Sequence, residues 1–521
     1  QILLKMLGLV CPCFKRKVPC MAQHHHHESD IFIKEAEGHQ RRYHKIVELT
    51  HSTTKAAGVM LLGAIIALIV ANTAFHEGFY EFWHTEVTLG FGDAHAEMSL
   101  AHIINDILMA IFFLLVGLEI KYEMTVGELT NIRQAILPVG AALGGVMMPI
   151  VVYLLFNAGN PDTMMGWGVP TATDIAFALG ILALLGSRVP AGVRVFLSTL
   201  AVADDIVAIL VIAIFYGQSP SLMWLGAALV VLIALIIMNR SHIYSLIPYL
   251  LVGAVLWYCI FMSGVHSTIA GVLLAFVIPS GSRVDLKSFA NWSGERVKEV
   301  HETFAPDEPV IGQADYLASV SRLERVARHV VPPATRLERK LYPWVYFAIL
   351  PLFALTNADV AFTQTAIGDI VSDSIFLGVF FGLVIGKPLG IMLMSLLIVK
   401  TKLSSLPENV NWAHMLGAAL LGGVGFTMAI FVANLAFVNP DDIMIAKVAI
   451  LAASLVAGVA GFAFLFIQAK AASLQGLRFE AKLASPDNLQ TFGAQEAQRR
   501  YERELQYVRE QIAKNEVEHK K

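Results

Sequence analysis

Asp204 and Asp205 are neighbours in the middle of the apolar run 193–216, which is long enough to cross a bilayer and carries no other acid or base beyond its first residues. A charged side chain at the centre of a membrane helix costs about 2.5–3.5 kcal/mol on insertion scales, so two together point to an ion or proton site, not to stability. Successive residues of an α-helix point about 100° apart, so the two carboxylates cannot face one partner at close range. One can line a cavity while the other meets a neighbouring helix. Two further polar groups lie in apolar surroundings. Pro170 precedes Thr171-Ala172-Thr173-Asp174, placing a helix breaker, hydroxyls and a carboxylate near mid-membrane, where freed backbone is tolerated only around a cavity. Lys387, in Gly386-Lys387-Pro388-Leu389-Gly390, lies about midway along another apolar run. A cation there suits the negative C-terminal ends that broken helices leave, as Asp174 suits their positive N-terminal ends. The alternative is a lysine that snorkels to the interface.

These groups need membrane helices to carry them, and the composition supplies them. Of 521 residues, 56% are hydrophobic and 15% charged, with a mean hydropathy of +0.63. That describes a polytopic membrane protein and excludes a soluble enzyme. A net charge of -3 against 38 basic and 41 acidic residues gives no sign of a nucleic-acid partner. Cys11, Cys13 and Cys20 cluster near the start while Cys259 is alone in an apolar segment, so no disulfide framework is implied.

Apolar stretches of spanning length occur near 54–74, 102–120, 134–156, 167–186, 193–216, 222–238, 244–262, 264–279, 342–357, 375–399, 413–437 and 443–467. The links after the even-numbered spans carry Lys or Arg: Lys121 and Arg133, Arg188 and Arg194, Arg240, the stretch 283–340, then Lys400 and Lys402. The links after the odd-numbered spans carry neither. This alternation satisfies the positive-inside rule for twelve spans with both termini cytoplasmic.

Outside the spans, 86–100 reads as a β-hairpin turning at Gly90-Phe91-Gly92-Asp93. Residues 280–340 form a polar cytoplasmic insert containing Pro306, Pro309, Pro332 and Pro333, within a twelve-span domain, 54–468. A cytoplasmic N-terminal segment, 1–50, precedes it and a charged cytoplasmic tail, 471–521, follows. Residues 1–20 read as an upstream translated or appended piece, with Met21 the natural start. His24 to His27 read as a tag or a solvated polar run, because four consecutive histidines on a chain end form no supporting shell for a metal.

Several motifs then fall in order. Val116-Gly117-Leu118-Glu119-Ile120-Lys121, the Pro170 to Phe177 stretch, Ala203-Asp204-Asp205, Ser263-Gly264-Val265-His266, Gly386-Lys387-Pro388-Leu389-Gly390 and Gly425-Phe426-Thr427-Met428 resemble the signatures of the NhaA family of bacterial sodium/proton antiporters. The likeness runs from about 54 to 468. It implies an all-α polytopic membrane protein with twelve transmembrane helices, inverted repeats, two discontinuous crossing helices and a periplasmic β-hairpin through which a homodimer forms. Span four, broken at Pro170, and span eleven, interrupted at Gly422-Gly423-Val424-Gly425, hold corresponding places in spans three to five and ten to twelve. That is the pattern of an inverted repeat, a rule the NhaA fold itself exemplifies and one not independent of the resemblance.

Carried over by motif, Asp205 resembles the principal cation and proton carboxylate, and Asp204 the neighbour that pairs with Lys387. Asp174 with Thr173 resembles the unwound part of span four, so that Asp205, Asp204, Asp174 and Thr173 are the expected transient sodium ligands. Glu119 and Glu123, one helical turn apart, and Glu338 in Arg336-Leu337-Glu338 resemble the acids of a cytoplasmic pH-responsive funnel; a solvated helix end balanced by Lys121 fits the first two equally. His266 suits a proton group by type, and a packed, hydrogen-bonded histidine as well. Asp106 in span two is a further functional candidate, while Asp441 and Asp442 read as helix caps.

The expected activity is secondary antiport without a cofactor: Na+ or Li+ exported for protons across a bacterial inner membrane, electrogenic by the resemblance, serving pH and sodium homeostasis. No phosphate-binding loop of the Walker type appears, which leaves an ion gradient as the energy source. The alternatives are a sodium-coupled organic-solute transporter of the same fold and an intramembrane aspartyl protease. The latter needs two carboxylates meeting face to face, which adjacent residues of one helix cannot do.

Overall fold

The computed structural model describes residues 52–474 apart from 92–93, 218–219, 242, 282–285, 361–366 and 408. The N-terminal segment with its histidine run, and all but the first few residues of the charged tail, lie outside the described residues.

Among the described residues, seven helices are long and apolar enough to cross a membrane: Thr53–Ala71, Leu100–Thr125, Gln134–Asn157, Ala191–Phe215, Leu222–Arg240, Ser374–Lys400 and Pro440–Ala471. Two bent pairs bring the number to nine, Pro161–Thr171 with Ile175–Leu184 at 43° and Trp412–Gly422 with Phe426–Ala436 at 45°. Apolar side chains such as Leu62, Leu155, Ile214, Leu251 and Val459 point outward from these helices. That is the surface a hydrocarbon solvent demands, since helices satisfy their backbone internally and need not hide apolar side chains there.

The other three expected spans fall outside that count, two because their helices are short and the third although its π-turn joins Pro333–Trp344 to Leu350–Asn357 without a break. Leu246–Met262 has 17 residues and Ile269–Val277 only 9, while 342–357 falls on a π-helical turn, Val345–Ile349, followed by Leu350–Asn357. The shortness of Ile269–Val277 has a local cause. Gly264 adopts φ +80, a left-handed conformation that glycine tolerates without a steric penalty, and the chain turns there before the helix can start.

Small residues set the closest helix contacts, as they do in membranes generally. Gly144 of Ile132–Asn157 lies against the Gly390 carbonyl, and Gly390 against the Gly144 carbonyl, so neither position has room for a Cβ. A Cβ at Gly117 would lie 2.7 Å from Ala275 Cβ and 3.1 Å from Val272 Cα, which seats Ile269–Val277 on Leu100–Thr125. Three π-helical turns interrupt the α-helices, Ile103–Leu108, Val345–Ile349 and Gly382–Gly386. They hold or adjoin Asp106, Tyr346 and Lys387, and widened turns of this kind concentrate at functional sites.

The only strands among the described residues are Glu86–Phe91 and Ala94–Ser99, an antiparallel pair running from Glu86 opposite Ser99 to Phe91 opposite Ala94. Gly90 and Phe91, expected in the turn, remain in the first strand. The insert is more helical than its prolines suggest. Leu286–Thr303 and Ala314–Val330 are joined by a turn in which the Gln313 amide donates to the Ala305 and Glu308 carbonyls at 2.7 Å and accepts from the Ala305 N–H at 3.0 Å. Pro333 opens the next helix, Pro333–Trp344, at a position where its missing N–H costs nothing. At Pro440–Leu474 the expected cap is corrected. Asn439 accepts from the Asp441 N–H at 3.1 Å, while Asp441 and Asp442 lie in the first turn, where the helix dipole favours them.

Candidate functional site

Asp204 and Asp205 sit on Ala191–Phe215, each 1% exposed. Asp204 Oδ2 lies 2.6 Å from Lys387 Nζ and accepts from the Thr173 hydroxyl at 2.5 Å. Lys387 is fully buried, and its ammonium also donates to the Thr171 carbonyl, at the C-terminal end of the 3-10 segment Met165–Thr171. A buried ion pair gains from every further hydrogen bond that fills its remaining capacity, and here Asp204 Oδ1 is left without one. Here the lysine answers both a carboxylate and a broken helix's exposed carbonyl end.

Asp174 does the complementary work. As N-cap of Ile175–Leu184 its Oδ1 accepts from the Phe177 N–H at 2.9 Å. Its Oδ2 reaches the start of Phe426–Ala436, accepting from the Thr427 N–H at 3.2 Å and from the Thr427 hydroxyl. The two breaks therefore meet. The Asp174 N–H donates to the Val424 carbonyl at 2.8 Å, and the Thr173 hydroxyl lies 3.1 Å from the Gly422 carbonyl. Tyr216 fastens the first broken span to the end of the carboxylate helix, donating to the Met165 carbonyl at 2.8 Å and accepting from the Gly168 N–H at 3.0 Å.

Asp205 is placed differently. Its Oδ1 is buried and accepts no hydrogen bond, as does Asp204 Oδ1. Asp205 borders a narrow cavity with room for about one water molecule, which Asp174, Glu119, Tyr346 and Thr427 also line. Of the four expected sodium ligands, only Asp205 and Asp174 reach this cavity. Among the described residues no three His, Cys, Asp or Glu side chains gather as a metal-holding group.

Glu119 is half-buried and lines the cavity together with Tyr346. Glu123 lies one turn further along the same helix, and Glu338 faces it from Pro333–Trp344. Burial pushes the Glu338 carboxyl up to about 7, Arg339 opposes the shift, and Glu123 adds to it by repulsion. Lys121 donates to the carbonyls of Phe276, at 2.8 Å, and Ile278 at the end of Ile269–Val277. His266 places Nε2 2.8 Å from the Tyr216 carbonyl and does not line the cavity. Asp106 accepts from the Ser267 hydroxyl at 3.1 Å, with His102 3.8 Å away. Beside it, Asn357 accepts from Asn434 at 2.7 Å and donates to Asn105 at 2.8 Å, an amide cluster for which the sequence offers no pattern. Tyr346 also escapes sequence reasoning. Its one signal is that a buried tyrosine hydroxyl needs a polar partner.

A multi-pass helical membrane protein whose broken helices enclose a charged, water-sized cavity defines a secondary ion transporter. Comparison with known proteins gives the family. Residues 47–465 match the family described as Na+/H+ antiporter 1. A Wolinella succinogenes protein named Na(+)/H(+) antiporter NhaA is 42% identical over 429 residues, 82% of this chain and 93% of the relative. A Helicobacter pylori relative of the same name (strain G27) is 44% identical over 418 residues, 80% of this chain and 94% of its own. One from Syntrophobacter fumaroxidans is 44% identical over 420 residues, covering 79% and 88%. The chain belongs to the NhaA family of Na+/H+ antiporters. It is a secondary transporter that exchanges sodium for protons, not an enzyme.

Proposed function

We propose that Asp205 is the carboxylate for which sodium and protons compete, and that Asp204 with Lys387 is a neutralised pair supporting it. One observation carries this reading: Asp205 borders the cavity with a buried carboxylate oxygen that accepts nothing, while Asp204 Oδ2 is held by Lys387 and Thr173. A cavity of one water's volume suits a small cation and leaves no space for an organic solute. In this reading Na+ or Li+ leaves the cell for a larger number of protons, across a bacterial inner membrane, and the exchange contributes to pH and sodium homeostasis. Twelve spans with both termini cytoplasmic are supported by the alternation of Lys and Arg between links, and two inverted repeats by the matching breaks in spans four and eleven. Rocking of one helix group against the other would then open the midplane site to each side in turn. Glu119, Glu123 and Glu338 would line the cytoplasmic approach.

The test is sodium-driven collapse of a proton gradient in inside-out vesicles. Asp205→Asn should abolish it while the protein still inserts and folds; substantial exchange by that variant sinks the assignment. In the parent, the sodium concentration giving half-maximal rate should fall with rising pH, by up to about tenfold per unit while protons occupy the site. A flat response would rule out direct competition. The paired strands 86–99 are proposed to join two protomers, each transporting alone. Deleting residues 88–97 should give active monomers in detergent, and an unchanged dimer mass would place the interface elsewhere.

A further inference from the structure

With Asp205 taken as the exchange carboxylate, the cavity is short of oxygen for a cation. Hard cations are held by several oxygens together. Asp174 already has both of its oxygens accepting hydrogen bonds, and Thr173 and Asp204 Oδ2 are engaged with each other. What else lines the cavity narrows the choice to Glu119 and the hydroxyls of Tyr346 and Thr427. The Thr427 hydroxyl is turned to Asp174. Tyr346 is only 8% exposed, packs its ring on Tyr342 with centroids 4.4 Å apart, and lines the cavity together with Glu119. A phenol that donates its single hydrogen keeps lone pairs for another partner. The π-helical turn Val345–Ile349 carries Tyr346 at the cavity wall, so its placement belongs to a widened turn and not to a regular helix.

We propose that the Tyr346 hydroxyl oxygen is a ligand of the transported cation, completing with Asp205 a site that the carboxylate alone cannot fill. In this proposal Glu119 is the orienting partner: by accepting the phenolic hydrogen it would turn the lone pairs away from itself.

Purified protein in liposomes, at one fixed alkaline pH, tests this with sodium chloride and lithium chloride as probes. Tyr346→Phe removes the oxygen and keeps the ring. The half-saturating sodium concentration should rise about five- to tenfold, the scale of one lost polar contact, with a much smaller change in maximal rate. Lithium, a smaller ion satisfied by fewer oxygens, should lose less. Binding is read separately, without transport, from the sodium concentration needed to raise the melting temperature in detergent, which should move by the same factor. Unchanged half-saturation for sodium, or a loss confined to maximal rate, overturns the proposal. Should the phenylalanine variant fail to fold, Tyr346→Met, which fills the space without an oxygen, answers the same question. Asp205→Asn run in parallel separates the two readings. If it still exchanges, the Asp205 assignment falls; if it is inactive while Tyr346→Phe keeps parental affinity, only the tyrosine assignment falls.

Discussion

The two broken spans bend by nearly the same angle, 43° and 45°, yet they are built from opposite materials. The first break is polar: Thr173 and Asp174 extend side chains from it, and Asp174 caps its own following helix. The second, Gly423-Val424-Gly425, offers backbone alone and its helix has no side-chain cap of its own. Instead that helix is capped from elsewhere, Phe426 N–H by the Ser454 hydroxyl at 3.0 Å and Thr427 N–H by Asp174. The glycines serve approach and not unusual dihedrals, since neither has a positive φ. A Cβ on Gly423 would stand 2.6 Å from the Leu383 carbonyl oxygen, and one on Gly425 3.1 Å from the Ala172 carbonyl oxygen. One break thus provides the charge for both, and the other provides the room.

This division of labour can be broken in order of expected effect. Asp174→Ala removes caps from two helices and strands Thr427, so it should destabilise the protein by about 2–4 kcal/mol in unfolding measurements in detergent. Asp174→Asn keeps a single acceptor oxygen, and so one of the two caps, and should cost clearly less than Asp174→Ala; equal losses would mean that one capping oxygen is of no use to the breaks. Gly423→Val overfills the second break and should cost about 1–3 kcal/mol. A neutral result there would show that Gly423 is not closely approached by the Leu383 carbonyl. Ser454→Ala leaves one buried N–H without its acceptor and should cost about 1 kcal/mol by the same measurement. A loss as large as that of Asp174→Ala would move the burden of capping from the aspartate to the serine.

The polar break was legible because an aspartate and a proline in an apolar run violate what hydrocarbon permits, and Asp204, Asp205 and Lys387 stand out for the same reason. What each oxygen does was not legible. Asp174 was expected as a sodium ligand, and its partner Thr427 lies 253 residues away, so no local pattern reveals that Thr427 and Phe177 both donate to it. Tyr346 was invisible for a related reason: in an apolar stretch beside Trp344, a tyrosine looks like any interfacial aromatic. The helices of the insert were not read from its sequence, whose prolines fall at helix starts and turns, where proline does no damage. At the strand pair, glycine suggested a turn at Gly90, whereas ladder pairing with His95 keeps that residue in the strand.

The backbone contact of Gly144 with Gly390 has a mechanical meaning. Two helices whose main chains touch have no layer of side chains between them to act as a lubricant, so they cannot slide or roll past one another without separating. Ile132–Asn157 and the helix carrying Lys387 therefore behave as one girder, and the close fit extends to Gly145, where a Cβ would stand 2.9 Å from Ile391 Cγ1 and 3.9 Å from the lysine's Cε. Any movement that opens the cavity has to carry this girder whole. The lysine then travels with a rigid body rather than on a hinged arm, and the joint that yields lies elsewhere.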